Sequence, residues 1–79
     1  MDMTDRIQAV FKDVLELDSG DLRDETSPKT LPEWDSIANV RLMAALEREF
    51  GVSLGLEDIM VIGNVGDIRR VLAAKGVPA

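Results

Sequence analysis

The strongest constraint on the fold is the spacing of apolar residues between positions 36 and 50. Side chains that recur about every three to four residues share one face of an α-helix. Four apolar residues follow this pattern: Leu42, Met43, Leu46 and Phe50. Asp35 stands at the predicted N-cap, and Gly51 follows the last helical residue. We therefore predict a helix over residues 36–50 whose first residue is Ser36.

Helical spacing recurs on both sides of this segment. A first helix is predicted to begin at the cap Thr4 and to fade near Leu17, with an inner face formed by Ile7, Val10, Phe11, Val14 and Leu15. A last helix is predicted after the cap Asn64, with an inner face formed by Val65, Ile68, Val71 and Leu72. The apolar run 56–62 is compatible with a helix or a strand, and its shortness favours a short helix.

A long connection separates the first two predicted helices. Residues 18–35 are rich in Asp, Ser, Thr and Pro, but Leu22, Leu31 and Trp34 are scattered through them. We expect these three side chains to pin the loop to the helices. The 79 residues form one domain, 1–79, and the expected fold is an all-α bundle of three main helices and one short helix.

The residue types in the chain exclude most self-contained chemistry. Cysteine and histidine are both absent, so a thiol nucleophile, the commonest general base and the commonest metal ligand are missing. Lys29 would serve as a base for Ser36 only through the geometry of the loop. A calcium-loop pattern at 18–25 fails, because Gly20 and Leu22 occupy positions that need oxygen ligands. We expect no enzyme activity and no metal site.

The net charge of −6 is unevenly distributed. Residues 1–35 contain ten acidic and four basic side chains, whereas residues 36–79 contain five of each. An acidic chain repels phosphate backbones, so we expect no binding to nucleic acid. The sequence contains no apolar run long enough to span a membrane. We expect a cytoplasmic, monomeric protein.

A second stripe on the predicted central helix begins at Ser36. It continues through Val40, Ala44 and Glu47, with three neighbours beside it: Ile37, Arg41 and Arg48. Exposed apolar residues here would form a docking surface. If they are buried, Val40 and Ala44 only widen the core. Ser36 itself is either a capping residue or an attachment site, and periodicity leaves both questions open.

The motifs around Ser36 resemble those of acyl carrier proteins. In that family an Asp-Ser-Leu or Asp-Ser-Ile triplet opens a long helix that ends in Leu-Glu-x-Glu-Phe-Gly. This chain has Asp35-Ser36-Ile37 and the segment LEREFG at 46–51. The segment NVGDI at 64–68 is similar to the start of the family's last helix. Helix order, loop length and total length also agree, so the resemblance covers nearly the whole chain.

The resemblance implies that a phosphopantetheinyl transferase attaches 4′-phosphopantetheine from coenzyme A to Ser36. The arm's thiol would carry acyl or aminoacyl groups as thioesters, loaded by a ligase and used by downstream synthases or transferases. Asp35 would help to position the metal ion of the transferase. The positions that would face partner enzymes are Ile37, Val40, Arg41, Ala44, Glu47 and Arg48. The alternatives are an aminoacyl or peptidyl carrier and an unmodified helical adaptor.

The central helix departs from the family pattern in its charge. Carriers of fatty acid synthesis usually present an acidic helix after the modified serine, but here Arg41 and Arg48 occupy positions that are commonly acidic. Trp34 and Glu33 replace the usual small residues before the Asp-Ser pair. The sequence therefore resembles a stand-alone carrier of a dedicated pathway, such as polyketide, nonribosomal peptide or surface-polysaccharide assembly, with acidic groups on its partners.

Overall fold

The computed structural model describes residues 2–17 and 22–79. It contains four helices: α1 (Met3–Leu15), α2 (Ser36–Phe50), α3 (Leu56–Val61) and α4 (Val65–Ala74). The described residues contain no β-strand, so the predicted all-α fold of three longer helices and one short helix is confirmed. The turn predicted at 18–21 and most of the segment compared with a calcium loop lie outside the described residues.

Helix α1 begins earlier than the sequence predicts. The carboxylate of Asp2, not the hydroxyl of Thr4, accepts a hydrogen bond from Asp5 N at 2.9 Å, so the predicted Thr4 cap is wrong. Both residue types cap helices, but starting at Met3 extends the apolar face by one turn. Met3 lies four residues before Ile7 and is only 3% exposed.

Helix α2 has the predicted bounds. Asp35 caps its N-terminus, and Gly51 ends it with a φ of 65°, a left-handed conformation that glycine adopts readily. Its inner face supplies Leu42, Met43 and Leu46 to the core. Helix α2 packs against α1, whose buried residues include Ile7 and Phe11.

The described part of the long loop is fixed to the helices as predicted. Trp34 is 1% exposed, and its ring meets the ring of Phe11 edge to face at a centroid distance of 5.1 Å. Leu22 and Leu31 are half-buried against the same core. Trp34 therefore ties the end of the loop, directly before Ser36, to the centre of the bundle.

The loop also provides hydrogen-bond acceptors for the first backbone amides of α4. The carbonyls of Asp24 and Thr26 accept hydrogen bonds from Gly66 N and Val65 N, each at 3.0 Å. A Cβ on Gly66 would lie 3.1 Å from the Cβ of Asp24, so a side chain there would push the loop away. The Asn64 side chain adds the predicted cap, accepting from Asp67 N at 2.8 Å.

Carboxylates stabilise the starts of α3 and α4, and one of them also links the two helices. Asp58 accepts from Gly55 N at 3.0 Å and pairs with Lys75 at 2.9 Å. The carboxylate of Asp67 accepts from Gly63 N, one residue before the cap position where a capping box would place it. Lys75 and the Gly55 amide lower the pKa of Asp58. Across the two described ranges, the helices are too short or too polar to cross a membrane.

Candidate functional site

Ser36 lies exposed at the first position of α2. The capping role belongs to its neighbour, since Asp35 Oδ1 accepts a hydrogen bond from Ala38 N at 2.8 Å. Within residues 2–17 and 22–79 the Ser36 hydroxyl has no protein hydrogen-bond partner. The question left open by the sequence is thus answered in one respect: Ser36 does not cap the helix. Its hydroxyl stands in solvent at the positive end of the α2 dipole.

A cleft of about 390 Å³ opens beside Ser36 on the side of the loop. Its lining consists of Pro28, Pro32, Trp34, Asp35, Ser36 and Asn39. Lys29 is not part of that lining, so the structure offers no support for it as a base. The lining combines the rings of Pro28, Pro32 and Trp34 with the polar groups of Asp35, Ser36 and Asn39.

Asn39 connects this cleft to the core. Its Oδ1 accepts a hydrogen bond from Trp34 Nε1 at 2.9 Å. Sequence reasoning did not single out Asn39, although it follows Ser36 by three residues and therefore lies on the same side of the helix. The spacing of these two residues was the available signal.

The second stripe of α2 faces solvent. Ile37 and Val40 are each 70% exposed, and Ala44 is exposed as well. The reading in which Val40 and Ala44 widen the core is therefore wrong. Helix α3 adds further exposed apolar side chains, namely Leu56, Met60 and Val61. Large exposed apolar side chains on two helices are typical of a surface that meets other molecules.

The two acidic residues of α2 are used within the molecule. Glu47 is half-buried, and its carboxylate accepts from Leu54 N at 2.7 Å. Glu49 pairs with Arg6 at 2.9 Å, while the guanidinium of Arg6 lies 4.4 Å from the centre of the Phe50 ring. Glu47 thus braces the connection after α2, although the sequence placed it among the partner-facing residues.

The two arginines of α2 are exposed and belong to no ion pair among the described residues. Arg41 lines a cleft of about 300 Å³ with Glu33, Asp35 and Ile37. Arg48 lines another cleft against α1, together with Asp13 and Glu49. The helix is neutral by composition, but its unpaired charges are positive.

Comparisons with known proteins agree with this geometry. The family model of the phosphopantetheine attachment site matches residues 5–72. The holo acyl carrier protein of Geobacter metallireducens, solved in solution by NMR, is 29% identical, with a TM-score of 0.86 over 95% of this chain and 86% of that one.

A putative acyl carrier protein from Mycobacterium tuberculosis is 26% identical, with a TM-score of 0.82 over 92% of this chain and 97% of that one. No curated protein sequence matches significantly. The family match spans most of the chain, and the chain therefore belongs to the acyl carrier protein family, whose members are carriers rather than catalysts and use 4′-phosphopantetheine as their cofactor.

Proposed function

We propose that Ser36 Oγ is the attachment point of 4′-phosphopantetheine and that the chain carries acyl or aminoacyl groups between enzymes of a dedicated biosynthetic pathway. The observation that carries this proposal is the division of work at the start of α2. Asp35 supplies the cap, which leaves the exposed Ser36 hydroxyl without a structural task.

The residues around Ser36 fit such a group. A phosphodiester on the first residue of a helix lies where the dipole favours negative charge. Its ester bond would remove no protein hydrogen bond made by the described residues. The exposure of Ser36 gives a modifying enzyme access to the hydroxyl. The arm contributes a thiol, which supports thioester chemistry that a chain without cysteine otherwise lacks.

The attachment reaction joins Ser36 Oγ to the phosphorus that bears pantetheine in coenzyme A. The diphosphate bond breaks, adenosine 3′,5′-bisphosphate leaves, and the serine proton passes to a base of the transferase. Asp35 is the adjacent carboxylate, and it is exposed. One of its oxygens accepts from Ala38 N. We assign to Asp35 the support of the transferase's metal ion.

The partner surface in this proposal is the exposed stripe of α2. Ile37, Val40 and Ala44 provide apolar contact, and Arg41 and Arg48 provide positive charge beside it. Glu47 acts indirectly, because its carboxylate holds Leu54 N. Loading ligases and downstream synthases that present acidic groups would match this surface. The basic character favours a dedicated polyketide or peptide pathway over general fatty acid synthesis.

An unmodified adaptor is a second candidate, and the exposed apolar side chains on α2 and α3 favour it. In that case the same surface docks a partner helix, and Ser36 is dispensable. Replacing Ser36 with Ala distinguishes the two, since an adaptor keeps its partner and its function without the hydroxyl.

Intact-mass measurement tests the attachment. The purified protein is incubated with coenzyme A and a promiscuous phosphopantetheinyl transferase. We expect the mass to rise by one phosphopantetheinyl group. The Ser36→Ala variant should show no rise, whereas Ser53→Ala, at another exposed serine, should behave as the unchanged protein. A missing mass gain, or one that survives Ser36→Ala, contradicts the proposal.

A further inference from the structure

We propose that the loop-side cleft beside Ser36 is a groove that binds the phosphopantetheine arm itself. In this groove Asn39 donates a hydrogen bond to the arm, and Pro28 and Pro32 pack against its pantoyl dimethyl group. The inference rests on attachment at Ser36, as proposed above.

The proposed attachment point lies in the wall of the cleft. Ser36 is one of its lining residues, together with Asp35 and Asn39. An arm tethered at Ser36 is held at high effective concentration next to the other walls, so weak contacts suffice to populate a bound state. A free ligand of the same chemistry would need far greater affinity to occupy the groove.

The amide of Asn39 has a fixed orientation. The indole Nε1–H of Trp34 is a donor only, so the oxygen of the amide must face it, and Asn39 Oδ1 lies 2.9 Å away. The NH2 group therefore points away from the indole. Among the described residues it makes no hydrogen bond to protein, and Asn39 lines the cleft. The arm offers matching acceptors: phosphate oxygens, a hydroxyl and two amide carbonyls.

The apolar walls of the groove are built from two turns. Thr30 N donates to Ser27 O at 3.0 Å, and Trp34 N donates to Leu31 O at 2.9 Å. Pro28 and Pro32 each occupy the second position of their turn, where the fixed φ of proline is favourable. Both rings are exposed. Walls that are rigid before binding lose little entropy when the arm packs against them.

The lining residues favour this groove over the second cleft that Asp35 lines. That cleft contains the carboxylates of Glu33 and Asp35 with the single guanidinium of Arg41. The loop-side groove contains only the carboxylate of Asp35. Each lining sums to a formal charge of −1, two carboxylates and one guanidinium against one carboxylate, so net charge does not distinguish the two clefts. The neutral and partly apolar pantetheine portion of the arm is better matched on the loop side, where a single charged group stands beside two proline rings.

NMR of the holo protein tests the groove. The protein is labelled with 13C and 15N, the arm is added unlabelled from coenzyme A, and intact mass confirms its attachment. We expect isotope-filtered NOEs from the two pantoyl methyl groups to Pro28, Pro32 and the Trp34 ring. Full mass gain without these NOEs overturns the groove and leaves the attachment standing. Absence of the mass gain overturns the attachment, and the groove with it.

The Asn39→Asp variant tests the donor. It keeps an oxygen acceptor for the Trp34 indole but replaces the NH2 group with oxygen, so the indole N–H should stay protected from solvent exchange while the NOEs to the arm are lost. Pro28→Ala and Pro32→Ala each remove one ring from the lining and should weaken the NOEs from the pantoyl methyl groups. Pro78→Ala, in the exposed tail, is their matched control. The control should keep every NOE. Unchanged NOEs in Asn39→Asp overturn the role of Asn39.

Discussion

The two ends of α2 use their polar groups differently. At the C-terminal end, Glu47 holds Leu54 N and Glu49 holds Arg6, so both carboxylates serve the fold. At the N-terminal end, one cap from Asp35 is sufficient, and the Ser36 hydroxyl and the Arg41 guanidinium have no partner among the described residues. From this comparison we infer that Ser36 and Arg41 act on other molecules, because the described fold makes no use of their polar groups.

The N-terminal end also depends on Trp34, a buried residue of the preceding loop, and its loss should have the largest effect on stability. Trp34 is 1% exposed and contacts Phe11. We expect Trp34→Ala to lower the free energy of unfolding by about 3–5 kcal/mol, measured by urea denaturation. Trp34→Phe, which keeps a ring but loses the bond to Asn39, should cost less. A cost below about 1 kcal/mol for Trp34→Ala would contradict the tight packing of the loop.

Charge reversal on the exposed face should affect loading rather than folding. Replacing Arg41 and Arg48 with Glu leaves every described ion pair intact but places like charges opposite an acidic partner. We expect kcat/KM for loading by the cognate enzyme to fall by about tenfold or more, with recognition by fatty-acid enzymes improved. The thermal midpoint should barely move. Unchanged loading would show that the arginines do not select the partner.

At the C-terminal end of α2, a substitution should affect stability rather than modification. Glu47→Ala leaves Leu54 N without its acceptor, and Leu54 is buried. The loss of a hydrogen bond to a charged group should cost about 1–3 kcal/mol of stability. Transferase modification of the folded variant should continue at the normal rate. If Glu47→Ala is as stable as the unchanged protein, the division between the two ends of α2 is wrong.

At the N-terminal end of α2, substitutions of the adjacent residues Asp35 and Ser36 should differ in their cost to stability. Asp35→Ala removes the cap and should cost about 1 kcal/mol, together with slower modification. Ser36→Ala should stay within about 0.5 kcal/mol of the unchanged protein. Paired thermal unfolding curves of the apo proteins measure both. A larger loss for Ser36→Ala than for Asp35→Ala would reverse the assignment of cap and attachment site.

The smallest expected effect is on the pH dependence of stability, and it concerns Asp58 in α3 rather than a residue of α2. The pKa of Asp58 is lowered from its ordinary value of 3.8, first by Lys75 and then by the Gly55 amide. A carboxyl whose pKa is lower in the folded state stabilises the fold above its unfolded pKa, and this contribution is lost as pH falls below 3.8 through the folded value. Asp58→Asn should flatten that acid limb in thermal midpoints measured against pH. An unchanged limb would contradict the role of Asp58.

The helices could be predicted because apolar residues spaced by three and four positions indicate a helix with one buried face. The cap of α1 could not be predicted, because Asp2 and Thr4 are both residue types that cap helices. Asp2 is the cap because Met3 is buried as part of the helix, and the sequence does not show which neighbours cover Met3. Trp34 was correctly expected to pin the loop, because a large apolar side chain in a polar connection has few other uses.

The chemistry of the site was less predictable than its location. The Asp-Ser-Ile motif marked Ser36, but the use of Glu47 depends on the path of the chain after Gly51, which brings Leu54 N to its carboxylate. The partner of Asn39 depends on the burial of Trp34. Whether an exposed charge is paired depends on tertiary contacts. The sequence therefore predicted a neutral α2 from its charge count, whereas among the described residues its acidic groups are used and its arginines are unpaired.

The central claim is that the fold leaves Ser36 free so that it can be modified. Fragmentation mass spectrometry of the protein purified from its native host tests this most directly. Trypsin releases residues 30–41, bounded by Lys29 and Arg41, with Ser36 as the single serine. We predict a phosphopantetheinyl group localised on Ser36 in this peptide. A peptide that is wholly unmodified, or a group localised on another residue, would contradict the account.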